Sequence, residues 1–514
     1  MIFTRATPAE QELSAAVEPS AEQATPIDLR EAEFKKIGYG LIDTLARFMG
    51  TIGSRPVTRG EKAGQLAELL GYTPLPELGI PAEEIFSRVV TLLLDHSLLN
   101  GHPKFMGYIT SSPAPAGALA DLLASAVNPN VGAEILSPMA TAIEKQTIRW
   151  LAEFIGVSKD YGGILVSGGN MANFTAFLAA RTAKAKINIK EEGLASTAGQ
   201  MTLYCSRATH TWIEKAAALF GHGARAIRWI PTDTGNRMDP LQLEIAIKKD
   251  KEEGRQPFIV VATAGDVSTG AVDNLLPISS ICKTYDCWFH IDGAYGIPAA
   301  AIPELRPLFE GMGEADSIAL DPHKWLYSPL EAGCTLVKNP RHLTDTYSSH
   351  PEYYNFGGKE GDAVHNYYEY GLQNSRGFRA LKVWITLQQA GRTGYINMIS
   401  KDIQLSRLLF QLAEQHPRLE AVTQHLSITT FRYMPAGMPL PENNEAYLNR
   451  FNEALLNKLQ QGGEVFLSNA IVNGKYCLRS CIVNFRTSKK DVEEIVKIVA
   501  REGEKLSESF ENPV

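Results

Sequence analysis

Residues 288–295 read Trp-Phe-His-Ile-Asp-Gly-Ala-Tyr, and this stretch decides the fold of the 514-residue chain. A short apolar run from Cys287 to Ile291 overlaps this stretch and is followed by Asp292. Such a run is typical of a strand buried on both faces of a parallel sheet. Residues 258–265 and 317–320 have the same character. The pattern therefore predicts an α/β fold with a mostly parallel central sheet.

Three polar or glycine positions, Gly265, Asp292 and Lys324, follow the ends of these predicted strands. Ligands of parallel sheets bind beyond the carboxyl ends of the strands, so we expect these residues to meet on one face. Pyridoxal 5'-phosphate needs an amine that holds its aldehyde as a Schiff base and a carboxylate that keeps its pyridine nitrogen protonated. Lys324 and Asp292 together predict this cofactor, although either residue alone is more often a surface charge or a helix cap.

Residues 162–173, Gly-Gly-Ile-Leu-Val-Ser-Gly-Gly-Asn-Met-Ala-Asn, indicate a strand, a glycine-bearing turn and a helix start. A helix N-terminus stabilises a phosphate through its unpaired N–H groups and its partial positive charge. We therefore expect Gly169 and Asn170 to contact the phosphate of the cofactor. The alternative is an ordinary strand-to-helix turn in which Asn170 is the N-cap.

His210 lies in Ala-Thr-His-Thr-Trp, between a predicted strand at 201–205 and an amphipathic helix. Its imidazole could stack on one face of the cofactor ring, while the small side chain of Ala294 packs on the other. A histidine beside a helix start is more often a cap or a satisfied polar group. The assignment of His210 therefore depends on the other residues of the predicted site.

These segments resemble the pyridoxal-phosphate-dependent amino acid decarboxylases of the group that includes aromatic L-amino acid and glutamate decarboxylases. The resemblance spans about residues 28–502, and its most specific motifs are His-Ile-Asp-Gly-Ala-Tyr, Asp-Pro-His-Lys-Trp, Ala-Thr-His and Arg-Gly-Phe-Arg-Ala-Leu-Lys-Val-Trp at 376–384. It implies the aspartate aminotransferase-like fold type I of pyridoxal-phosphate-dependent transferases. It also implies Lys324 as the Schiff-base lysine, Asp292 as the pyridinium partner and His210 as the stacking residue, with Asp321 and His323 next to the phosphate and the aldimine.

Residues 348–354, Ser-Ser-His-Pro-Glu-Tyr-Tyr, resemble the mobile loop of this family. In the family a tyrosine of the loop protonates the substrate carbon after carbon dioxide leaves, and Tyr353 stands at that position. Related aldehyde-forming enzymes have phenylalanine there, and another subset has asparagine in place of the stacking histidine. Because this chain keeps both residues, decarboxylation to an amine is favoured. Tyr354 is an alternative acid, and a surface loop with packing tyrosines is another reading.

Residues 102–113 resemble the family segment that lines the substrate pocket, with contact positions at Tyr108, Ile109 and Ser111. Relatives that act on aromatic acids usually carry a bulky aromatic residue where Ile109 stands. An aromatic L-amino acid is still the first choice, because Phe105, Tyr108 and the loop of Tyr353 offer stacking surfaces. An acidic substrate is second and would need a cation such as Lys104 for its distal carboxylate.

Asp266 is a second departure, since relatives commonly have threonine after the glycine at 265. It either alters the surroundings of the cofactor or faces solvent.

Two rival functions also stay open. The same cofactor and fold serve aminotransferases and decarboxylation-coupled aldehyde synthases, and a regulatory subunit could keep the fold without activity. The retention of Lys324, Asp292, His210 and Tyr353 argues against a silent subunit.

Composition excludes several other classes of protein. A formal net charge of −7 without a dense Lys/Arg stretch argues against nucleic acid or anionic membranes as principal partners. The six cysteines form no CxxC pair and no Cys/His spacing for a metal, so we expect reduced thiols and no metal site. The first residues lack the apolar core of a signal peptide, and no uncharged apolar stretch could span a bilayer. A cytoplasmic enzyme is the expectation.

The sequence predicts four segments. Residues 1–26 are rich in Ala, Glu, Pro and Thr and are expected to be a flexible tail. In 27–99 a helix with cap signals at Thr25-Pro26 carries an apolar stripe of Phe34, Ile37, Leu41, Leu45 and Phe48. The family resemblance implies that this region packs on the second subunit of a homodimer with active sites at the interface, although an intrachain contact would also bury the stripe. Residues 100–390 form the large cofactor-binding domain, and 391–514 a small α+β domain with strands at 426–432 and 477–483 and a last helix at 488–502.

Overall fold

The computed structural model describes residues 25–349, 365–436 and 445–510. The chain divides into two compact units, one made of residues 1–55 with 61–97 and the other of 56–60 with 98–514. The second unit contains the cofactor-binding motifs. In the described ranges no helix combines the length and the apolar character that a membrane crossing requires.

The first unit is helical, with α1 (Glu31–Thr51), α2 (Ala63–Leu70) and α3 (Ala82–His96). The first described helix begins at Glu31 rather than at the cap signals of Thr25-Pro26, because Arg30 is extended and acidic residues fill the first turn from Glu31. The apolar stripe of α1 is present, but no residue of α1 is buried within the chain.

A seven-stranded sheet organises the second unit. Its strands are β1 (Gly162–Val166), β2 (Met201–Ser206), β3 (Ile227–Ile230), β4 (Gln256–Thr263), β5 (Trp288–Asp292), β6 (Ser317–Leu320) and β7 (Gly333–Val337). They run in the order β1-β7-β6-β5-β4-β2-β3, and only β7 is antiparallel to its neighbours. The mostly parallel sheet predicted from the apolar runs is confirmed. All residues of β5 and β6 are buried, as expected of strands covered on both faces.

Helices surround this sheet: α4 (Pro115–Val127), α5 (Pro138–Ile155), α6 (Gly169–Lys184), α7 (Ile189–Glu192), α8 (Trp212–Leu219), α9 (Pro240–Glu252), α10 (Leu275–Tyr285), α11 (Arg341–Tyr347) and α12 (Ala380–Gln415). The boundary predicted at residue 391 falls inside α12. That helix is interrupted at Gly391, whose φ of 64° lies in the left-handed region that favours glycine. The helix then continues into the small domain, so one long element links both domains.

The small domain is an α+β layer, as predicted. It contains β8 (Leu419–His425), β9 (Ile428–Tyr433), α13 (Glu445–Gly462), β10 (Ser468–Val472), β11 (Lys475–Cys481) and α14 (Lys489–Ser507). Its antiparallel sheet has the order β10-β11-β9-β8. The strand predicted at 426–432 is β9 and begins two residues later, and the strand predicted at 477–483 is β11 and begins two residues earlier. Leu426 and Asn473, both with positive φ, form turns that fix where these strands can begin. Ser488 caps α14 in a capping box with Asp491.

Candidate active site

A cavity of about 690 Å³ opens at the carboxyl ends of the central strands. Most of the site residues predicted from the sequence line it, namely Tyr108, Ile109, Gly169, Asn170, His210, Asp292, Ala294, Asp321, His323 and Lys324. Segments separated by more than 200 positions in the sequence thus meet in one cavity. Ser111 is not among its lining residues, and Tyr353 lies outside the described residues.

The amine of Lys324 contacts the carboxylate of Asp321, which lies three residues earlier in the same turn. Lys324 Nζ lies 2.9 Å from Asp321 Oδ2, and the side chain of Asp321 is almost fully buried. Apart from this ion pair, neither oxygen of Asp321 has a hydrogen-bond partner in the part of the chain that the structure describes. The amine is therefore held at the cavity by one charged contact.

The next residues anchor this turn to the protein core. Trp325 Nε1–H and the Tyr327 hydroxyl donate to Asp402 Oδ2 at 3.0 and 2.5 Å. Both aromatic side chains and Asp402 are buried. The turn that carries Lys324 is thus fixed from the side opposite to the cavity.

Asp292, at the end of β5, accepts two hydrogen bonds. Trp212 Nε1–H donates to Asp292 Oδ2 at 2.7 Å, and the backbone N–H of Ala294 donates to Oδ1 at 3.2 Å. The side chain is buried but belongs to the cavity lining. Each carboxylate oxygen can accept more than one hydrogen bond, so acceptor capacity is left for a donor in the cavity.

The start of α6 has the backbone features expected of an anion site. Gly168 precedes it with a φ of 134°, and no side chain caps the helix. The alternative in which Asn170 is the N-cap is therefore wrong, since Asn170 lies in the first turn. A Cβ at Gly169 would come within 2.6 Å of Asp321 Oδ2, so a side chain would fill this space. The first N–H groups of a helix have no intrahelical acceptor and suit a phosphate.

His210 lies on the loop between β2 and α8 and faces the open cavity. Desolvation by the surrounding protein lowers the pKa of its imidazole, and the carboxylate of Asp292 offsets part of this effect. The backbone N–H of Trp212 donates to His210 Nδ1 at 3.4 Å, which places the ring proton of the neutral form on Nε2. At neutral pH His210 is an uncharged ring beside the cavity.

Ser111 contacts the backbone of His323 and is not part of the cavity lining, whereas His323 is. The Ser111 hydroxyl donates to the carbonyl oxygen of His323 at 2.8 Å. His323 Nδ1 lies 2.7 Å from the carbonyl oxygen of Ala332, and burial lowers the pKa of the imidazole. Ser111 therefore supports the backbone of the lysine turn, while His323 lines the cavity.

Arg479 is a cavity residue that the sequence analysis missed. It lies in β11, is 2% exposed, and its Nη1 donates to the carbonyl oxygen of Tyr108 at 3.1 Å and to Ser468 Oγ at 3.0 Å. Its Nε and Nη2 have no hydrogen-bond partner among the described residues. A buried guanidinium with free N–H groups is costly unless it meets an anion. An arginine that directly follows the apolar residues Cys477 and Leu478 in a predicted strand was the sequence feature that could have identified it.

Two other side chains singled out in the sequence prove to be structural. Asp266 is buried and accepts hydrogen bonds from the backbone N–H groups of Ser268, Thr269 and Ala271 within 2.9 Å. It therefore neither faces solvent nor lines the cavity, but holds its own turn. Lys104 pairs with Glu494 at 3.2 Å and is absent from the lining residues, so it is not a candidate for binding a substrate.

The residues of the cavity fit pyridoxal phosphate. An amine, a buried carboxylate with free acceptor capacity and an uncapped helix start at Gly169 correspond to the aldehyde, pyridine nitrogen and phosphate of the cofactor. The imidazole of His210 and the methyl group of Ala294 belong to the same lining. The donor set thus matches each polar end of the cofactor.

Comparison with known proteins supports this assignment. Residues 74–434 match the family model of the pyridoxal-dependent decarboxylase conserved domain, and residues 409–511 match a PDXDC1-like second central domain. An aromatic-L-amino-acid decarboxylase of Bacillus atrophaeus is 31% identical, with 94% of this chain and 98% of the relative covered. A phenylacetaldehyde synthase of a Rosa hybrid cultivar is 28% identical, with 91% and 93% covered.

Among solved structures, tryptophan decarboxylase of Catharanthus roseus in complex with L-tryptophan is 26% identical. It has a TM-score of 0.83, with 93% of this chain and 99% of that chain covered. Together with the geometry of the cavity, these similarities establish that the chain belongs to the pyridoxal-dependent decarboxylase family and is a pyridoxal-phosphate-dependent carboxy-lyase.

Proposed function

We propose that this enzyme decarboxylates an L-amino acid, by preference an aromatic one, to the corresponding amine and carbon dioxide. The observation that carries the proposal is the meeting of Lys324, Asp292 and Arg479 in the lining of one cavity. The first two suit the cofactor. The third supplies a cation that cofactor binding leaves unused.

Each residue would have a distinct task. Lys324 would hold the cofactor covalently, Asp292 would accept a hydrogen bond from its ring nitrogen, and the start of α6 at Gly169 would bind its phosphate. When bound, pyridoxal phosphate supplies a ring that accepts the electrons left on the substrate carbon as carbon dioxide departs. His210, neutral at physiological pH, would lie against the ring and could pass a proton from its Nε2.

Arg479 is our candidate for binding the carboxylate of the substrate. Its Nε and Nη2 carry N–H groups that lack partners in the described ranges, and a guanidinium binds a carboxylate through two parallel hydrogen bonds. Its third nitrogen, Nη1, is bound to Tyr108 and Ser468, which fixes the plane of the group. A carboxylate fixed in this way has a defined orientation before its bond to carbon breaks.

The remaining lining favours an aromatic substrate over an acidic one. Tyr108, Ile109, Val267 and Leu330 contribute an apolar part of the cavity. An acidic substrate would need a further cation for its distal carboxylate, and Lys104 is bound to Glu494 instead. Lysine and arginine are represented among the described lining residues by Lys324 and Arg479 alone, both with other tasks. The names of relatives that act on aromatic amino acids support the same choice.

Aldehyde synthesis is the second candidate, because relatives named phenylacetaldehyde synthase cover most of the chain. Tyr353, which lies outside the described residues, is the residue that favours the amine. The decisive experiment incubates the holoenzyme with a panel of L-amino acids and measures carbon dioxide, amine, aldehyde and peroxide together. We expect amine equal to carbon dioxide, greatest with aromatic substrates. Stoichiometric aldehyde with little amine would refute decarboxylation to the amine.

The attachment of the cofactor has its own test. Borohydride reduction of the holoenzyme followed by peptide mapping should find the cofactor on Lys324, and Lys324→Ala should abolish turnover. Label on another lysine would contradict the assignment. This measurement does not depend on knowing the substrate.

A homodimer is part of the proposal. In the apolar stripe of α1, Phe34 is exposed and the other four residues are only half-buried within the chain, and α4 exposes Leu119, Leu122, Leu123 and Val127 on one face. Apolar surface of this extent on two elements is typical of an interface. A second copy of the chain is the simplest occupant of this surface, and the molar mass in solution tests whether a dimer forms.

The six cysteine thiols are buried and unpaired, which supports a reducing compartment such as the cytoplasm.

A further inference from the structure

Trp212 makes the side-chain hydrogen bond to Asp292, although 80 positions separate the two residues in the sequence. Its side chain is fully buried at the first position of α8. The bond from Nε1–H to Asp292 Oδ2 is 2.7 Å long, a short distance for an N–H donor and typical of a charged acceptor. This indole does not belong to the lining of the cavity, so it acts on the site through another residue.

The bond spans the carboxyl end of strand β4. Trp212 follows β2 and Asp292 ends β5, and β4 lies between these two strands. The indole therefore joins the carboxyl ends of strands that are not paired with each other. Together with the N–H of Ala294 on the other oxygen, it provides one donor for each oxygen of Asp292 and so restricts rotation of the carboxylate.

The indole ring is itself held firmly. The rings of Phe174, Phe177 and His290 meet it edge to face, with centroids 6.5, 6.4 and 5.9 Å away. His290 is fixed in turn, with Nε2 2.7 Å from Asn173 Oδ1 and Nδ1 2.8 Å from Ser317 Oγ. Burial lowers the pKa of His290 to about 4, so its ring is neutral at physiological pH. The donor thus has a single position relative to Asp292.

Trp212 also contacts the other residue that is expected to meet the cofactor ring. Its backbone N–H donates to His210 Nδ1, two positions earlier on the same loop. One residue therefore holds both the carboxylate for the ring nitrogen and the imidazole for the ring face. We propose that Trp212 is a positioning residue that sets Asp292 and the His210 loop for binding of the cofactor. The inference rests on the cofactor site of the proposed function, but not on the identity of the substrate.

The first test measures cofactor affinity of the apoenzyme. Trp212→Phe keeps an aromatic ring in the core and removes the N–H donor. Trp384→Phe is the matched control, because Trp384 donates its Nε1–H to Gln146 Oε1 at 2.7 Å, and neither residue lines the cavity or contacts Trp212. We expect Trp212→Phe to weaken binding of pyridoxal phosphate about tenfold or more, as the loss of a hydrogen bond to a charged group predicts, and the control to bind within about twofold of wild type.

The second test observes the bond without cofactor or activity. The chain has six tryptophans, and the indole N–H resonances of ¹⁵N-labelled apoenzyme report on each hydrogen bond. The resonance that is lost in Trp212→Phe should shift in Asp292→Asn, because the acceptor loses its charge. If Trp212→Phe does not fold, substitution of the other five tryptophans identifies the resonance by elimination.

Equal affinities of the two phenylalanine variants for pyridoxal phosphate would overturn the proposal. An indole resonance of Trp212 that does not respond to Asp292→Asn would overturn it as well. Failure of the proposed function would look different: the wild-type holoenzyme would bind the cofactor with the expected dependence on Trp212, yet would release no amine and carbon dioxide from any amino acid.

Discussion

Replacement of Arg479 tests how the enzyme recognises its substrate. Arg479→Met keeps the length of the side chain and removes the cation whose Nε and Nη2 lack partners among the described residues. Truncating one partner of a buried, hydrogen-bonded charge pair costs about 2–5 kcal/mol. Since 1.36 kcal/mol is a factor of ten, kcat/KM for the amino acid should fall by roughly 30-fold to several thousand-fold.

The assay compares two ligands that differ only in the carboxylate. The amino acid is measured by its kcat/KM and the product amine by its inhibition constant in wild type and variant. We expect the amine to bind both proteins with nearly equal affinity, because it has no carboxylate for Arg479 to contact. Ser468→Ala is the control for structural damage, since it removes a contact of Nη1 and leaves Nε and Nη2 in place.

Three results are distinguishable. A loss of amino acid turnover with unchanged amine inhibition supports a contact between Arg479 and the carboxylate. An equal loss for both ligands would mean that Arg479→Met has changed the shape of the cavity. Wild-type kcat/KM in Arg479→Met would refute the reasoning, because a buried cation with free donors would then have no part in substrate binding.

Three further predictions concern other parts of the molecule. Tyr353→Phe should shift the product from amine toward aldehyde while Tyr354→Phe leaves the product ratio unchanged, as measured by amine and peroxide; the reverse result would transfer the role to Tyr354. Burial raises the pKa of Asp402 from 3.8 to about 7, so its ionised form is disfavoured in the folded state and its contribution to the unfolding free energy should fall as pH rises from about 4 to about 7. The difference in unfolding free energy between wild type and Asp402→Asn should therefore change by at most about 4 kcal/mol between the two pH values, as measured by urea unfolding. Asp266→Ala removes the acceptor of three backbone N–H groups and should lower the unfolding free energy by about 1–3 kcal/mol, which thermal unfolding would detect; an unchanged midpoint would exclude a structural role for Asp266.

The cofactor end of the site was predictable because its residues follow strongly patterned strands. The apolar runs fix β4, β5 and β6, and a parallel arrangement then brings the ends of these strands to one edge. The position of Asp292 and Lys324 at one cavity follows from these strand ends, whereas their roles toward the cofactor stay predictions. The turn before Gly169 was predictable for a similar reason, since strand, glycine pair and helix are adjacent in the sequence. Local sequence patterns were therefore sufficient to place the residues that follow the end of a strand.

Element boundaries were less predictable, because they depend on single backbone conformations. The displaced start of β9 follows from Leu426 in a positive-φ turn, for which leucine gives no indication in the sequence. The helix α12 extends past residue 391, although the backbone of Gly391 is non-helical. The predicted boundary therefore marks a kink in the helix rather than its end. Asp266 was ambiguous because an aspartate after a strand serves equally well as a ligand or as an acceptor for its own turn.

The substrate end of the site depends on contacts that no local pattern contains. Arg479 reaches the cavity from the small domain and contacts Tyr108, which is 371 positions away. Trp212 reaches Asp292 across β4, the strand that lies between β2 and β5. In both cases the two residues that contact each other come from distant segments of the sequence. Because strand ends carry the residues proposed for the cofactor and distant segments carry those proposed for the substrate, the two parts of the site can change separately. Exchange of Ile109 should therefore alter substrate choice and exchange of Arg479 should lower turnover, both without loss of the cofactor, whereas exchange of Trp212 should lower affinity for the cofactor.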